Sequence, residues 1–236
     1  MKIPKIIHQI YDNPAGVPDI LSDVSESWKK EHPAWNYRLW DHEAIQKFLE
    51  DSCPEFIPIY KSFLCNKQRW EFMRYLILYH EGGLYVDMDY ECIQPMDSLL
   101  ETHSCCLALE PAEHAERFGK QELIGNAMLA AIPHHPFFEK IIEQIILSGN
   151  GRKQTMTWHD TQNAGIEMIN NLYEGYDFKE EITLLPADLV TPLSAREISL
   201  LLLNRETPEM EDKVEKAFAV HYFLGQWRLK YASDMV

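Results

Sequence analysis

The sequence lacks the features of a small disulfide-stabilised or zinc-binding protein. Its five cysteines are an odd number, and no two of them have the Cys-x-x-Cys spacing of a zinc or redox motif. The N-terminus has no signal-peptide layout, and no apolar run approaches the roughly 20 residues that span a membrane. Internal repeats and low-complexity segments are also missing. These absences predict a reduced, cytoplasmic protein without a transmembrane segment.

Basic residues are scarce in the later part of the sequence. After residue 80 lie 26 of the 37 acidic residues but only 12 of the 22 basic ones. An acidic surface repels phosphate backbones, so no nucleic-acid partner is expected. The same charge opposes adsorption to anionic lipid, although weak peripheral contact with the inner face of the cell membrane is left open. At 236 residues and 46% hydrophobic content, the chain is expected to form one domain over residues 1–236.

Strands alternate with helices along the sequence, which predicts an α/β fold with a mostly parallel central sheet flanked by helices. The predicted strands cover residues 3–10, 35–40, 84–88, 105–109, 182–185 and 217–221. The predicted helices cover residues 19–31, 42–51, 54–63, 66–81, 123–132, 136–147, 161–172 and 195–203. In such a fold, ligands bind beyond the carboxyl ends of the strands.

The most informative motif is Gly-Gly-Leu-Tyr-Val-Asp-Met-Asp at residues 82–89. Its glycine pair ends a helix, and a short apolar strand follows. Side chains two apart on a strand point the same way, so Asp87 and Asp89 are predicted to face one site. Paired carboxylates suit Mg2+ or Mn2+, which keep coordination positions open for substrate phosphates. The alternative is a pair of solvated loop aspartates.

This motif and three other stretches resemble the DXD-motif glycosyltransferases of the Och1-like α-mannosyltransferase group. That group takes in α-1,4-galactosyltransferases and is distantly related to the clostridial glucosylating toxins. The matching positions are residues 3–11, Trp28 with Pro33 and 37–41, 74–79 with 82–89, and 221–227. The resemblance implies a GT-A-type nucleotide-sugar-binding fold, a nucleotide-sugar donor, a divalent metal, and transfer with retention of anomeric configuration.

The resemblance also assigns a metal site and a catalytic set. It implies Asp87, Asp89 and His221 as metal ligands, with Asp89 contacting the ion most directly. Arg74 is three residues after Glu71 on one helix face, and the family uses such a pair to touch donor sugar hydroxyls. Asp87, Asp89 and Arg74 are therefore the candidate catalytic residues. No nucleophile can be named from the sequence.

The remaining candidates contact the donor. Tyr11 follows the first strand, where an aromatic ring could stack on the nucleotide base. Glu71 and Arg74, with Asp87, are candidates for the sugar and ribose hydroxyls, and Asn126 for the donor or acceptor sugar. Trp227 belongs to a segment that closes over the donor phosphates in the family. Glu71 departs from the family pattern, which has aspartate at this position.

The leading hypothesis is a metal-dependent retaining glycosyltransferase that moves a hexose from a nucleotide sugar to a glycan or lipid-linked acceptor. A role in bacterial surface polysaccharide synthesis, such as capsule formation, fits the predicted compartment. One alternative is a nucleotide-sugar hydrolase or phosphodiesterase, which normally has a richer set of metal ligands. Another alternative, supported by Glu71, is a nucleotide-sugar-binding module with little or no turnover.

Overall fold

A computed structural model describes residues 2–13, 16–149 and 158–224 of the chain. The strands are β1 Ile6–Ile10, β2 Asn36–Trp40, β3 Gly83–Val86, β4 Tyr90–Cys92, β5 Cys105–Leu109, β6 Ile124–Ala131, β7 Ile182–Leu185 and β8 Ala219–His221. The helices are α1 Asp19–Glu31, α2 His42–Ser52, α3 Ile57–Ser62, α4 Asn66–Glu81, α5 Asp97–Leu100, α6 Ala112–Arg117, α7 Pro136–Gly149, α8 Trp158–Glu174, α9 Ala187–Val190, α10 Ala195–Leu202 and α11 Pro208–Lys216. Short 3-10 helices cover Pro54–Phe56 and Lys179–Glu181. Within these ranges, no helix is both long and apolar enough to span a lipid bilayer.

Six of the strands form one sheet in the order β2-β1-β3-β6-β5-β7. Strand β1 pairs in parallel with β2 and β3, and β5 pairs in parallel with β7. Strand β6 is antiparallel to both of its neighbours, β3 and β5, so the other strands all run in one direction. The predicted α/β fold with a mostly parallel central sheet is confirmed.

Strand β6 corrects one prediction. A helix is predicted at 123–132, because alanine, methionine and leucine favour helices in isolation. The segment instead lies between β3 and β5, and every residue of it is buried. A strand in the middle of a sheet covered on both faces has no polar positions, so the alternation that identifies a strand is missing. Tertiary packing here overrides local propensity.

The central strands send alternate side chains into two cores. Tyr85 and Leu129 pack on one face, with buried residues of α2, α4, α7 and α8. Leu84 and Met128 pack on the other face, in a cluster that includes Trp28 of α1. Because apolar layers cover both faces, polar side chains of the central strands reach solvent only at the strand ends.

The turn between α4 and β3 requires two glycines in succession. Gly82 has φ +64° and Gly83 has φ +99°, in the region that L side chains rarely adopt. A Cβ on Gly82 would lie 2.6 Å from Pro133 Cδ, and one on Gly83 would lie 2.6 Å from the Ile6 carbonyl oxygen. The His8 ring also hydrogen-bonds the Gly82 carbonyl at 2.8 Å. This turn fixes where β3 begins, and therefore where its carboxyl end leaves the sheet.

Candidate active site

Asp87 and Asp89 lie just beyond β3, at the carboxyl edge of the sheet. The strand is predicted to reach residue 88 but ends at Val86, so a turn rather than strand alternation brings the two carboxylates together. In that turn the Tyr90 N–H donates to the Asp87 carbonyl at 3.1 Å. The Asp87 N–H donates to the Ala127 carbonyl at 2.8 Å, which ties the turn to β6.

A second, two-stranded sheet brings His221 to the same turn. Strands β4 and β8 pair antiparallel, with Tyr90 opposite His221, and their rings stack at 4.4 Å with an interplanar angle of 7°. His221 Nε2 lies 3.2 Å from Asp89 Oδ1. One ligand atom each from Asp87, Asp89 and His221 lies within 4.8 Å of the other two. The fold thus brings together all three residues predicted as metal ligands.

The cluster has the chemistry of a divalent metal site. Two carboxylates and one imidazole suit Mn2+ or Mg2+, which leave positions for phosphate oxygens. His221 Nδ1 is buried without a hydrogen-bond partner in the described part of the chain. The Asp87 side chain is 29% exposed, against 13% for Asp89 and 9% for His221. The cluster therefore opens to solvent on the side of Asp87.

Asp89 and His221 stabilise each other's charged forms. Burial alone would raise the pKa of Asp89, but His221 and the Leu224 N–H, 2.7 Å from Asp89 Oδ2, lower it below its usual value. Burial alone would lower the pKa of His221, but the Asp89 carboxylate outweighs burial and raises it. The site therefore holds a carboxylate that stays ionised and an imidazole that its neighbour keeps basic.

Helix α4 presents Arg74 to the same turn. Arg74 Nη1 lies 3.2 Å from Asp87 Oδ1 and donates to the Asn126 carbonyl at 2.5 Å. The guanidinium carbon lies 4.9 Å from the centre of the Tyr85 ring, and the Tyr85 hydroxyl donates to Asp87 Oδ1 at 2.6 Å. Arg74 and Tyr85 thus hold the Asp87 carboxylate from one side, leaving its second oxygen for a ligand.

Glu71 is held on the same helix face by two neighbours. The Asn126 side-chain amide donates to Glu71 Oε2 at 2.8 Å, and Arg74 Nη2 lies 3.9 Å from Glu71 Oε1. A Cβ added to Gly165 of α8 would lie 2.6 Å from Glu71 Oε2. Sequence spacing predicted that Glu71 and Arg74 share a face, and the structure adds Asn126 as the group between them.

The surroundings affect the pKa values of Glu71 and Arg74 in different ways. Burial raises the pKa of Glu71, although the charges of Arg74 and Lys67 oppose that rise. Burial alone would lower the pKa of Arg74, but Asp87, Tyr85 and Glu71 outweigh it and raise the pKa further. Arg74 is therefore a fixed positive charge, and its guanidinium group lies beside the candidate metal site.

Tyr11 lies beyond the carboxyl end of β1, next to the Trp70 ring of α4. The two rings are stacked at 6.3 Å with an interplanar angle of 26°. A cavity of about 760 Å3 is lined by their chain neighbours Asp12 and Arg69, but not by the two rings themselves. Polar and charged residues line it, from the ends of β1 and β2, from α2 and α3 and from the start of α4: Asp12, Asn13, Asp41, His42, Glu43, Gln46, Tyr60, Lys61, Asn66 and Arg69.

Three residues act at the site without having been predicted. Gln9 is buried, and its amide donates to the Asp87 carbonyl at 3.1 Å. Tyr85 donates to the Asp87 carboxylate, and Lys67, one turn before Glu71, opposes the rise that burial causes in the Glu71 pKa. The spacing of Lys67 and Glu71 could have been read from the sequence, whereas the contacts of Gln9 and Tyr85 depend on strand register. Trp227 lies outside the described residues.

Comparisons with known proteins agree with this fold and with the predicted family resemblance. Residues 18–105 match the model of a family described as the glycosyltransferase sugar-binding region containing the DXD motif. Inositol phosphoceramide mannosyltransferase 2 of Schizosaccharomyces pombe is 35% identical over 143 residues, which are 61% of this chain and 38% of the relative. Mannosyl phosphorylinositol ceramide synthase CSH1 of Saccharomyces cerevisiae is 31% identical over 150 residues, 61% of this chain and 35% of the relative.

Among solved structures, the PaToxG glycosyltransferase superposes with a TM-score of 0.53 at 14% sequence identity. The match covers 91% of this chain and 84% of that structure. At this sequence identity it shows a shared fold and nothing further. The predicted GT-A-type fold and the predicted resemblance to DXD-motif glycosyltransferases are both confirmed. The chain spans well under half the length of the two curated relatives named above.

Proposed function

We propose that this protein is a metal-dependent, retaining glycosyltransferase that moves a hexose from a nucleotide sugar to a glycan or lipid-linked acceptor. The observation that carries the proposal is the convergence of Asp87, Asp89 and His221 beside the buried Arg74. A structural ion-pair cluster would need neither an imidazole nitrogen without a partner nor an opening to solvent at one carboxylate. The shared DXD region supports the same conclusion.

The donor is proposed to lie along the carboxyl edge of the sheet. Its base stacks on Tyr11, next to Asp12 and the 760 Å3 cavity that Asp12 lines. Its diphosphate lies at Asp87, Asp89 and His221, and its sugar hydroxyls face Glu71, Arg74 and Asn126. The full set of residues proposed to contact the donor is Tyr11, Glu71, Arg74, Asp87, Asn126 and Trp227. This order follows the strand order, because β1 and β3 are neighbours in the sheet.

The proposed chemistry depends on charge at the leaving diphosphate. A bound Mn2+ or Mg2+ would act as a Lewis acid that stabilises that charge. Arg74, fixed by Asp87 and the Asn126 carbonyl, supplies a second positive charge that needs no reorganisation during the reaction. Retention can follow a covalent carboxylate intermediate or transfer on one face of the sugar, and the described residues present no nucleophile that selects between them.

We also propose that residues 1–236 form a single glycosyltransferase domain that works in the cytoplasm, at the inner face of the cell membrane. Free cysteines support the reducing compartment. The biological role proposed is bacterial surface polysaccharide or capsule synthesis. The names of the two relatives, which refer to inositol phosphoceramide, support a lipid-linked acceptor.

The test is a thermal-shift panel of nucleotide sugars with Mn2+, with Mg2+ and with a chelator. A ligand that binds only the folded state raises the midpoint, by an amount equivalent to about 2.7 kcal/mol at one hundred times its Kd. We expect one nucleotide sugar to raise the midpoint only with metal, and Asp89→Asn to abolish the rise. The matched control is Asp212→Asn, since Asp212 is exposed and paired with Lys216 on α11.

Turnover then separates the enzyme from its alternatives. Transfer of sugar to an added acceptor supports the proposal, whereas release of free sugar alone supports a hydrolase. A metal-dependent shift with no turnover of any kind supports a binding module. That alternative rests on Glu71, which stands where the family has aspartate. The absence of a shift with every donor, in a folded protein with metal present, would overturn the proposed site.

A further inference from the structure

Phe223 has a left-handed backbone conformation although it is not a glycine. Its φ is +50°, and the other non-glycine residues of the described chain with positive φ are His134 and Asn204. Bulky residues rarely adopt this conformation, and it persists only where the surrounding structure determines it. Phe223 lies two residues after His221, so the strained position is separated from a predicted metal ligand by Tyr222 alone.

The reversal at Phe223 brings two groups of the chain to one carboxylate. His221 Nε2 lies 3.2 Å from Asp89 Oδ1, and the Leu224 N–H donates to Asp89 Oδ2 at 2.7 Å. The Tyr222 N–H between them donates to the Asp89 carbonyl at 2.9 Å. An extended residue at position 223 would continue the direction of β8 and carry the Leu224 N–H away from Asp89.

The Phe223 side chain is held between two histidines. Phe223 is 3% exposed, and the centre of its ring lies 4.0 Å from that of His221 and 5.0 Å from that of His114. His114 is itself fixed at both nitrogens. Its Nε2 accepts the Ala195 N–H at 3.0 Å, so its Nδ1 carries the proton that it donates to Glu110 at 2.8 Å.

We propose that Phe223 is a positioning residue for the metal and donor site. Its left-handed backbone places both His221 and the Leu224 N–H on Asp89, and its ring, supported by His114, holds the His221 imidazole in its stack with Tyr90. The end of β8 is thereby preassembled against Asp89 before any ligand binds. The metal part of this inference rests on the proposed function, but the backbone part can be measured without metal.

The experiment compares two Phe223 variants with a matched control. Phe223→Val removes the ring and strongly disfavours the left-handed conformation, whereas Phe223→Gly removes the ring but allows that conformation freely. The control is His134→Val, because His134 has φ +57° and follows β6 at the opposite edge of the sheet. Two quantities are measured: the Mn2+ affinity by calorimetry, and the exchange rate of the Leu224 amide hydrogen.

Phe223→Val is expected to weaken Mn2+ binding by about tenfold or more and to speed Leu224 exchange by a similar factor. Phe223→Gly should fold readily. It should weaken Mn2+ binding less than Phe223→Val does, and it should speed Leu224 exchange less. His134→Val should lower the melting midpoint while leaving Mn2+ affinity and Leu224 exchange unchanged. If Phe223→Val does not fold, Phe223→Gly alone decides, since it must still weaken Mn2+ binding through the lost ring.

Unchanged Mn2+ affinity and unchanged Leu224 exchange in both Phe223 variants would overturn the inference. Equal effects from His134→Val would also overturn it, because they would trace the changes to general destabilisation. Failure of the unaltered protein to bind Mn2+ would instead contradict the proposed function. In that case the exchange of the Leu224 amide still decides whether Phe223 holds the end of β8 on Asp89.

Discussion

At the scale of single residues, His8 shows how burial fixes a protonation state. The ring lies within β1 and is fully buried, with Nε2 bonded to the Gly82 carbonyl at 2.8 Å. Its Nδ1 accepts the Trp40 indole N–H at 3.0 Å, so Nε2 carries the only proton. Burial lowers the pKa of His8 from 6.5 to about 4, and the nearby charge of Arg38 acts in the same direction. His8 is therefore neutral in the folded protein.

This neutrality predicts a loss of stability in mild acid. Between pH 6.5 and 4 the unfolded chain binds a proton at His8 that the folded chain excludes, so the free energy of unfolding decreases as the pH falls. The full effect is about 3 kcal/mol. We expect His8→Gln to flatten the dependence of the urea midpoint on pH across this range. The control is His103→Gln, at the edge of the same fold. The prediction is contradicted if the urea midpoint depends on pH with the same slope in the His8 variant and in the unaltered protein.

The sequence predicted the site only where one local pattern carries the information. Asp87 and Asp89 belong to a short motif, and Glu71 and Arg74 share a helix face through their spacing. The contact of Gln9 with the Asp87 carbonyl depends on the pairing of β1 with β3, which no local pattern reveals. The roles proposed for all these residues, and for Trp227, remain predictions until the experiments above are done.

At the scale of elements, helix α8 packs on α4 through a glycine. A Cβ on Gly165 would lie 2.6 Å from Glu71 Oε2 and 3.2 Å from the Asn126 amide nitrogen. Alanine favours a helix interior by up to about 1 kcal/mol, but overpacking a tight contact costs about 1–3 kcal/mol. We therefore expect Gly165→Ala to lower the free energy of unfolding by about 1–2 kcal/mol, measured by urea denaturation.

Combining Gly165→Ala with Glu71→Asp tests whether the loss of stability comes from the contact with Glu71. The shorter side chain in Glu71→Asp leaves room for the added methyl group, so Gly165→Ala should become neutral or stabilising in that background. The control is Gly175→Ala, whose added Cβ would meet its nearest atom at 3.7 Å, an ordinary contact. A full Gly165→Ala penalty in the Glu71→Asp background would locate the clash elsewhere than at Glu71.

Most elements could be predicted because their signals are local. The helices Asp19–Glu31 and Asn66–Glu81 have the predicted bounds, and the Asp41 side chain caps α2 by accepting the Ala44 N–H at 2.9 Å. Helices α5, α6, α9 and α11 and strand β4 were not predicted, since they are short or largely polar. The strand β6 was predicted as a helix, because a segment buried on both faces has no period to read.

At the scale of the whole molecule, the order of elements predicted the fold class but not the sheet order. Alternating strands and helices indicate a parallel sheet, and most strands of the main sheet follow that rule. The antiparallel β6 places Asn126 between the ends of β3 and β5, next to Arg74. Strand β8 pairs with β4 outside the main sheet, which is how residues more than 130 positions apart meet at Asp89.

The distribution of the cysteines through this fold gives a final prediction. Cys65 is exposed at the start of α4, whereas Cys53, Cys92, Cys105 and Cys106 are buried. Burial raises the pKa of the Cys53, Cys92 and Cys106 thiols to about 12 and that of Cys105 further. The thiolate is the reactive form, so these four thiols are inert in the folded state.

We therefore expect one thiol to react rapidly with an aromatic disulfide reagent under native conditions, and five after unfolding. Cys65→Ser should remove the rapid reaction, while the slow reaction of the other four should follow the rate of unfolding. The unfolding-dependent phase should slow when a nucleotide sugar and Mn2+ are added, because a bound donor stabilises the folded state that protects those thiols. A second rapidly reacting thiol in the folded protein would contradict the packing of the core that contains it, since Cys53 and Cys105 lie in one core and Cys92 and Cys106 in the other.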